Sequence, residues 1–399
     1  MPRIEIAGSQ ATLSKTFAEF FESEKSGGFV LLLCTLVSLG IANSFLGSPY
    51  LEFWHAKLAG LTLQHWVNDA LMAVFFLLVG LELERELYSG ELSTIKNALL
   101  PVFAAIGGIA VPASIHFMLN AGTATQAGTG IPMATDIAFA LGALALLGRH
   151  VPSSARIFLT ALAVMDDLVA IVVIAVFYTS EFSVEFLLSA LLVFVLLVAL
   201  NRALRVMSLF PYLLGGALMW FLMYRSGVHA TIAGVLLAFA IPFSAKAEDE
   251  SSPSHRLEHV LNRPVAFLIL PMFALANTGI PFNSGWVQEL ASANSAGIIG
   301  GLVVGKPLGI TMFSLLAVAL GICQLPPGLT WRVIVGTGLL GGIGFTMSIF
   351  IANLAFTDDT DLVNASKIAI LLASLAAGSL GFFWLRVGSP TVMNPRNTG

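Results

Sequence analysis

Two aspartates, Asp166 and Asp167, stand side by side in the apolar run Ala161-Leu-Ala-Val-Met-Asp-Asp-Leu-Val-Ala-Ile-Val-Val-Ile. A carboxylate at the centre of a membrane helix costs roughly 2.5–3.5 kcal/mol on insertion scales, so an adjacent pair is a poor anchor. It suits a site that takes up and releases cations or protons. Burial and mutual repulsion both penalise bare charge, so a proton and a metal ion would compete for the same oxygens. Four more ionisable residues fall in apolar segments: Asp69, Glu82, Asp136 and Lys306. Lys306 is the single base expected inside the bundle, and either aspartate can be its partner. Helical neighbours point about 100° apart. One acid can therefore pair with Lys306 while the other faces a cavity. Asp69 and Glu82 lie near opposite ends of one segment, where they read as solvated helix ends or as vestibule residues.

The elements that carry these residues are membrane spans. The 399-residue chain is 57% hydrophobic and 11% charged, far below the ~25% charged of soluble domains. The expected fold class is an all-α polytopic membrane protein. Net charge of −4 gives no reason to expect a nucleic-acid partner, and Cys34 and Cys323 supply neither a disulfide framework nor a metal site. No cofactor is expected. Twelve apolar segments are read at about 29–46, 67–83, 99–119, 131–148, 155–178, 185–200, 206–223, 228–243, 264–280, 296–322, 332–355 and 366–386. With an even count both termini share a side. Fifteen of the nineteen Lys and Arg residues then fall on that side, three (Lys57, Arg225, Lys367) on the other, and Lys306 within a span. This bias predicts cytoplasmic termini. Residues 1–28 read as an interfacial segment, 14–22 forming an amphipathic surface helix. Residues 29–388 read as one transmembrane domain and 389–399 as a tail. The stretch 244–263 reads as a cytoplasmic loop, and 47–66 as an outer loop holding a hairpin or an interfacial helix.

Two segments are poor continuous helices. The fourth contains Pro132 beside Thr135 and Asp136, and the eleventh has five glycines between 336 and 344. Unwound backbone at mid-membrane is tolerated only where it lines protein or water. Opposed half-helix ends would put partial charges there, with Asp136 offsetting the N-terminal ends and Lys306 the C-terminal ones. Close packing through glycine is the alternative for the eleventh segment. Ile106-Gly-Gly and Ile299-Gly-Gly hint at inverted repeats over about 99–178 and 296–386, which would place the two interruptions at matching positions.

Several motifs resemble the bacterial NhaA-type sodium/proton antiporters. They are Trp66-Val-Asn-Asp through Gly80-Leu-Glu82, Ala134-Thr-Asp-Ile-Ala-Phe, Ala163-Val-Met-Asp-Asp167, Ser226-Gly-Val-His-Ala-Thr231, Arg256-Leu-Glu-His259, Gly305-Lys-Pro-Leu-Gly309 and Gly341-Gly-Ile-Gly-Phe-Thr-Met-Ser-Ile-Phe350. The likeness runs in register from about residue 14 to 388. It implies twelve spans with broken, crossing segments 4 and 11, and a homodimer joined through the 47–66 loop in a bacterial inner membrane. The implied activity is electrogenic, pH-activated exchange of cytoplasmic Na⁺ or Li⁺ for external protons. Asp166 and Asp167 would carry the ions and Lys306 would be the pairing base. Thr135, Asp136, Gly341, Gly342, Gly344, Thr346 and Ser348 would build the crossing. Glu82, Glu86, Glu258 and His259 match a pH-sensing cytoplasmic mouth, with Asn68, Asp69 and His229 accessory. Departures occur at Glu84 and His255, where the family pattern has a base, and at Asn262, where it has a histidine.

Competing readings are an intramembrane aspartyl protease and a sodium-coupled symporter of a small organic anion. The protease needs its acids on separate helices with a Gly-x-Gly-Asp motif, which the sequence lacks. The symporter would show substrate-dependent sodium uptake. A channel would need a ring of pore charges, and none is evident.

Overall fold

Segments 4 and 11 do break where the sequence predicts. In the computed structural model, which describes residues 24–148, 151–179, 183–244, 252–282 and 285–388, segment 4 is a tight 3₁₀ stretch, Ala124–Met133, then extended backbone, then the helix Ile137–Leu147. Pro132 lacks the donor that a continuing helix needs. Segment 11 is Trp331–Gly341 followed by Phe345–Ala355, bent by 45°.

A helical element stands at every one of the twelve predicted positions. Among the described residues, eight spans are long and apolar enough to cross a bilayer. Besides Ala124–Leu147 these are Leu63–Tyr88, Ile95–Asn120, Ser153–Phe177, Val184–Arg202, Pro253–Asn277, Ala293–Ala319 and Thr360–Val387. Two bent pairs qualify jointly: segment 11, and Ser26–Ala42 with Gly47–His55, which turn through 114°. Leu209–Ser226 and the nine-residue Ile232–Ala240 are the other two. We number these spans 1 to 12 in chain order.

Both alternatives for the 47–66 loop are realised. The helix Gly47–His55 is followed by a ribbon pairing Lys57 with Thr62 and Leu58 with Leu61. Its two turn residues, Ala59 (φ 51°) and Gly60 (φ 90°), take the left-handed conformations that a tight hairpin needs. The expected loop 244–263 is partly helical: span 9 begins at Pro253 behind an Ser252 cap. Polar composition hid this extension, because it packs on span 2 and buries Leu257 in the cluster that spans 2, 6, 7 and 8 share. The interfacial helix at 14–22 and the 389–399 tail lie outside the described residues.

Spans 3, 4, 5, 10, 11 and 12 gather around the two breaks, whereas spans 6, 7 and 8 pack on one another and on span 2. Span 10 contains a π turn, Gly301–Gly305, just before Lys306 and Pro307. A Cβ on Gly301 or Gly305 would collide with Pro132 or Pro112, so the glycines let span 10 press against spans 3 and 4. That contact carries Lys306 to the break in span 4.

One expectation is corrected. Lys367, assigned to the outer side, is 5% exposed within span 12, so Lys306 is not the sole buried base. Span 12 begins at Thr360 rather than near 366, which places Lys367 in its second turn against neighbouring helices.

Candidate functional site

Asp166 and Asp167 are both buried, at 1% and 2% exposure, midway along span 5. Lys306 selects Asp166: its ammonium lies 2.6 Å from Asp166 Oδ2, with both side chains fully buried. The Thr135 hydroxyl stands 2.7 Å from the same Oδ2 and 2.8 Å from the Gly341 carbonyl, so its one proton is shared between two acceptors. Lys306 also donates to the Met133 carbonyl, at the C-terminal end of the 3₁₀ stretch. It therefore offsets a negative helix end and a carboxylate together.

Asp167 turns away, as the 100° step requires. It lies within electrostatic reach of Asp166, Asp136, Glu82 and Lys306. Among the described residues, Asp166 Oδ1 and Asp167 Oδ1 are buried with no hydrogen-bond partner. Buried oxygens are normally satisfied, so two orphan carboxylate oxygens on adjacent residues leave acceptor capacity unused inside the bundle.

Asp136 ties the two breaks together. Its Oδ1 accepts from Phe139 N–H (3.1 Å), capping Ile137–Leu147. Its Oδ2 accepts from Thr346 N–H (3.0 Å) and the Thr346 hydroxyl (2.5 Å), at the start of Phe345–Ala355. Its own N–H donates to Ile343 O at 2.6 Å. One carboxylate thus faces two positive helix ends. The Ser348 hydroxyl donates to Ile131 O at 2.7 Å, satisfying a carbonyl near the end of the 3₁₀ stretch. A Cβ on Gly342 would strike the Leu302 carbonyl, and one on Gly344 would strike Ser348 Oγ. Glycine is demanded there by close approach.

The predicted mouth residues assemble at one end of spans 2 and 9. Glu82 is in electrostatic contact with Glu258, Arg85 and Glu86, and it also reaches Asp167. Arg85 lies 3.3 Å from Glu258 and 3.6 Å from Glu86. His259 and His255 both act electrostatically on Glu258. Glu84 is buried and accepts from the Ser254 hydroxyl at 3.4 Å, so it is not a solvated helix end. His255 stacks on Phe243 and bonds Ser252.

Asn68, Asp69 and His229 are not part of this assembly. Asp69 is thirteen residues before Glu82, about 20 Å along the helix. It pairs with His65 at 2.8 Å, and His229 bonds the Tyr178 carbonyl at 3.0 Å. Asn68 exchanges hydrogen bonds with Asn277, which also accepts from Asn353 at 2.8 Å. Sequence reasoning missed Arg85, Ser254 and the Asn277–Asn353 amide contact. Arg85, one turn after Glu82, carried a usable spacing signal. The amides carried none, since an Asn in an apolar run marks no partner by itself.

Comparison with known proteins places the chain in a family. The family model described as Na⁺/H⁺ antiporter 1 matches residues 18–385. A protein named Na(+)/H(+) antiporter NhaA from Dechloromonas aromatica is 71% identical over 380 residues, covering 95% of this chain and 98% of its own. Its namesake from Flavobacterium psychrophilum is 58% identical over 382 residues (96% and 98%), and that from Mesorhizobium japonicum 48% over 370 residues (92% and 93%). With the crossed breaks, the adjacent buried acids and a match spanning nearly its whole length, this multi-pass membrane chain belongs to the Na⁺/H⁺ antiporter 1 family, a family of transporters and not of enzymes.

Proposed function

We propose that the chain exchanges Na⁺ or Li⁺ for protons across a bacterial plasma membrane, with Asp166 and Asp167 as the shared site. The observation that carries this reading is the pair of orphan oxygens, Asp166 Oδ1 and Asp167 Oδ1, on adjacent buried acids beside Lys306. Ionised, the two carboxylates offer hard oxygen ligands to a small cation, with the Thr135 hydroxyl alongside. Protonated, they do not hold it. Competition for one site gives exchange without a separate coupling device. Bare carboxylates are costly to move past an apolar gate, so only loaded states reorient.

The chain Asp167–Glu82–Glu258/Arg85 supports a route from the site to the basic, cytoplasmic face, where both termini are placed and where pH activation resides. Electrogenic exchange follows from energetics. Each proton in excess of sodium gains ~2.3 kcal/mol per 100 mV, against ~1.4 kcal/mol for a tenfold sodium gradient. The inverted repeats and a homodimer joined through the 47–66 helix and ribbon belong to the same proposal.

The test uses proteoliposomes. An imposed sodium gradient drives opposite proton movement with charge transfer, and Asp167→Asn abolishes it while leaving thermal unfolding within a few degrees of the parent. Undiminished exchange by the variant removes Asp167 from the site, and sodium uptake dependent on an organic anion favours the symporter.

A further inference from the structure

Away from the ion site, spans 1, 4 and 12 enclose a cavity of about 540 Å³, within the size range of small-ligand pockets. Its floor is the break of span 11, Ile343 and Phe345, and no charged side chain lines it. Its rim carries Phe29, Leu146, Leu375 and Phe383, each more than half exposed on the surface that faces the bilayer. Gly142 lines the wall and is itself buried, yet a Cβ built there meets nothing within 4 Å. Open space lies directly over it.

The cavity has a charged end. Phe382 lines it, and the guanidinium of exposed Arg386 sits 6.0 Å from the Phe382 ring centroid. Among the described residues no carboxylate pairs with Arg386. Ser374, at the floor, bonds Phe345 N–H. Arg386 is twelve residues further along the same helix, about 18 Å at 1.5 Å per residue. That depth matches one leaflet of a hydrocarbon core ~30 Å thick. An apolar shaft one leaflet deep, open to lipid and ending beside an arginine that meets no carboxylate among the described residues, has the dimensions and charge of a phospholipid site.

We infer that the cavity between spans 1, 4 and 12 binds one anionic phospholipid, its phosphate at Arg386 and one acyl chain reaching the span 11 break. The chain end then packs on Phe345 and Phe139, whose rings meet edge to face at 5.1 Å. The lipid would therefore brace the two half-helices that Asp136 caps.

The experiment is native mass spectrometry of purified, delipidated protein mixed with phosphatidylglycerol or phosphatidylcholine. The parent retains one phosphatidylglycerol in about tenfold preference to phosphatidylcholine. Arg386→Gln loses that preference. Gly142→Phe fills the shaft and loses both lipids, and Ser379→Phe, at an exposed position on the rim, does the same should Gly142→Phe not fold. Arg202→Gln, on the remote span 6, changes nothing. Equal retention of the two lipids by the parent overturns the assignment. So does unaltered preference in Arg386→Gln, or an equal loss in Arg202→Gln. The readout is binding, so it stands apart from the transport test.

Discussion

Replacing Lys306 by Met removes the ammonium at nearly constant volume, and the structure says what is left behind. Asp166 Oδ2 loses its 2.6 Å partner and keeps only the shared Thr135 hydroxyl, and the Met133 carbonyl loses its donor. Breaking a fully buried pair by removing one member costs about 3–5 kcal/mol. Asp166→Leu strands the ammonium and carries a similar cost. If the two residues were independent, the double variant would lose about 6–10 kcal/mol, twice the single figure. The geometry predicts otherwise. With both charges gone, Thr135 can still donate to Gly341 O, and only the Met133 carbonyl stays unsatisfied, at about 1–3 kcal/mol. Equilibrium unfolding of the four proteins in mixed micelles measures the cycle. A double variant losing less than either single one supports the pairing, and additive losses refute it.

The other predictions concern the crossing and the mouth. Asp136→Ala deletes the acceptor for Phe139 N–H and for Thr346; at about 0.5–2 kcal/mol per cap it costs roughly 1–4 kcal/mol by the same unfolding assay, while Asp136→Asn keeps part of this. Gly342→Ala drives a methyl into the Leu302 carbonyl, which belongs to backbone and cannot swing aside; a loss of about 1–3 kcal/mol is expected, with slowed exchange. Glu84→Lys with His255→Lys puts a permanent cation at position 255, within electrostatic reach of Glu258, and removes the Glu84 carboxylate, so the pH profile of exchange moves. An unmoved profile means that these positions do not set the threshold.

Much of this molecule was readable one segment at a time. Span positions follow from apolar run length, because a bilayer demands about twenty residues whatever the neighbours are. The breaks were visible because Pro132 and the 336–344 glycines are intrinsically poor helix formers. The helical start of span 9 and the burial of Glu84 were not visible. Each depends on a partner surface, Leu257 joining the cluster built on span 2 and Ser254 meeting Glu84, that composition does not disclose. Lys367 was not counted among the buried bases for a related reason: hydropathy dilutes one lysine at a span end, while packing buries it.

By itself the chain determined that two acids sit at mid-membrane and point in different directions, since both facts are local properties of a helix. Which acid meets Lys306 was decided only in three dimensions. The partners are 140 residues apart, and the choice rests on how spans 4, 5 and 10 rotate about their axes when they pack. The same holds for Asp136, 210 residues from Thr346, whose carboxylate caps two helices that only the tertiary fold brings end to end.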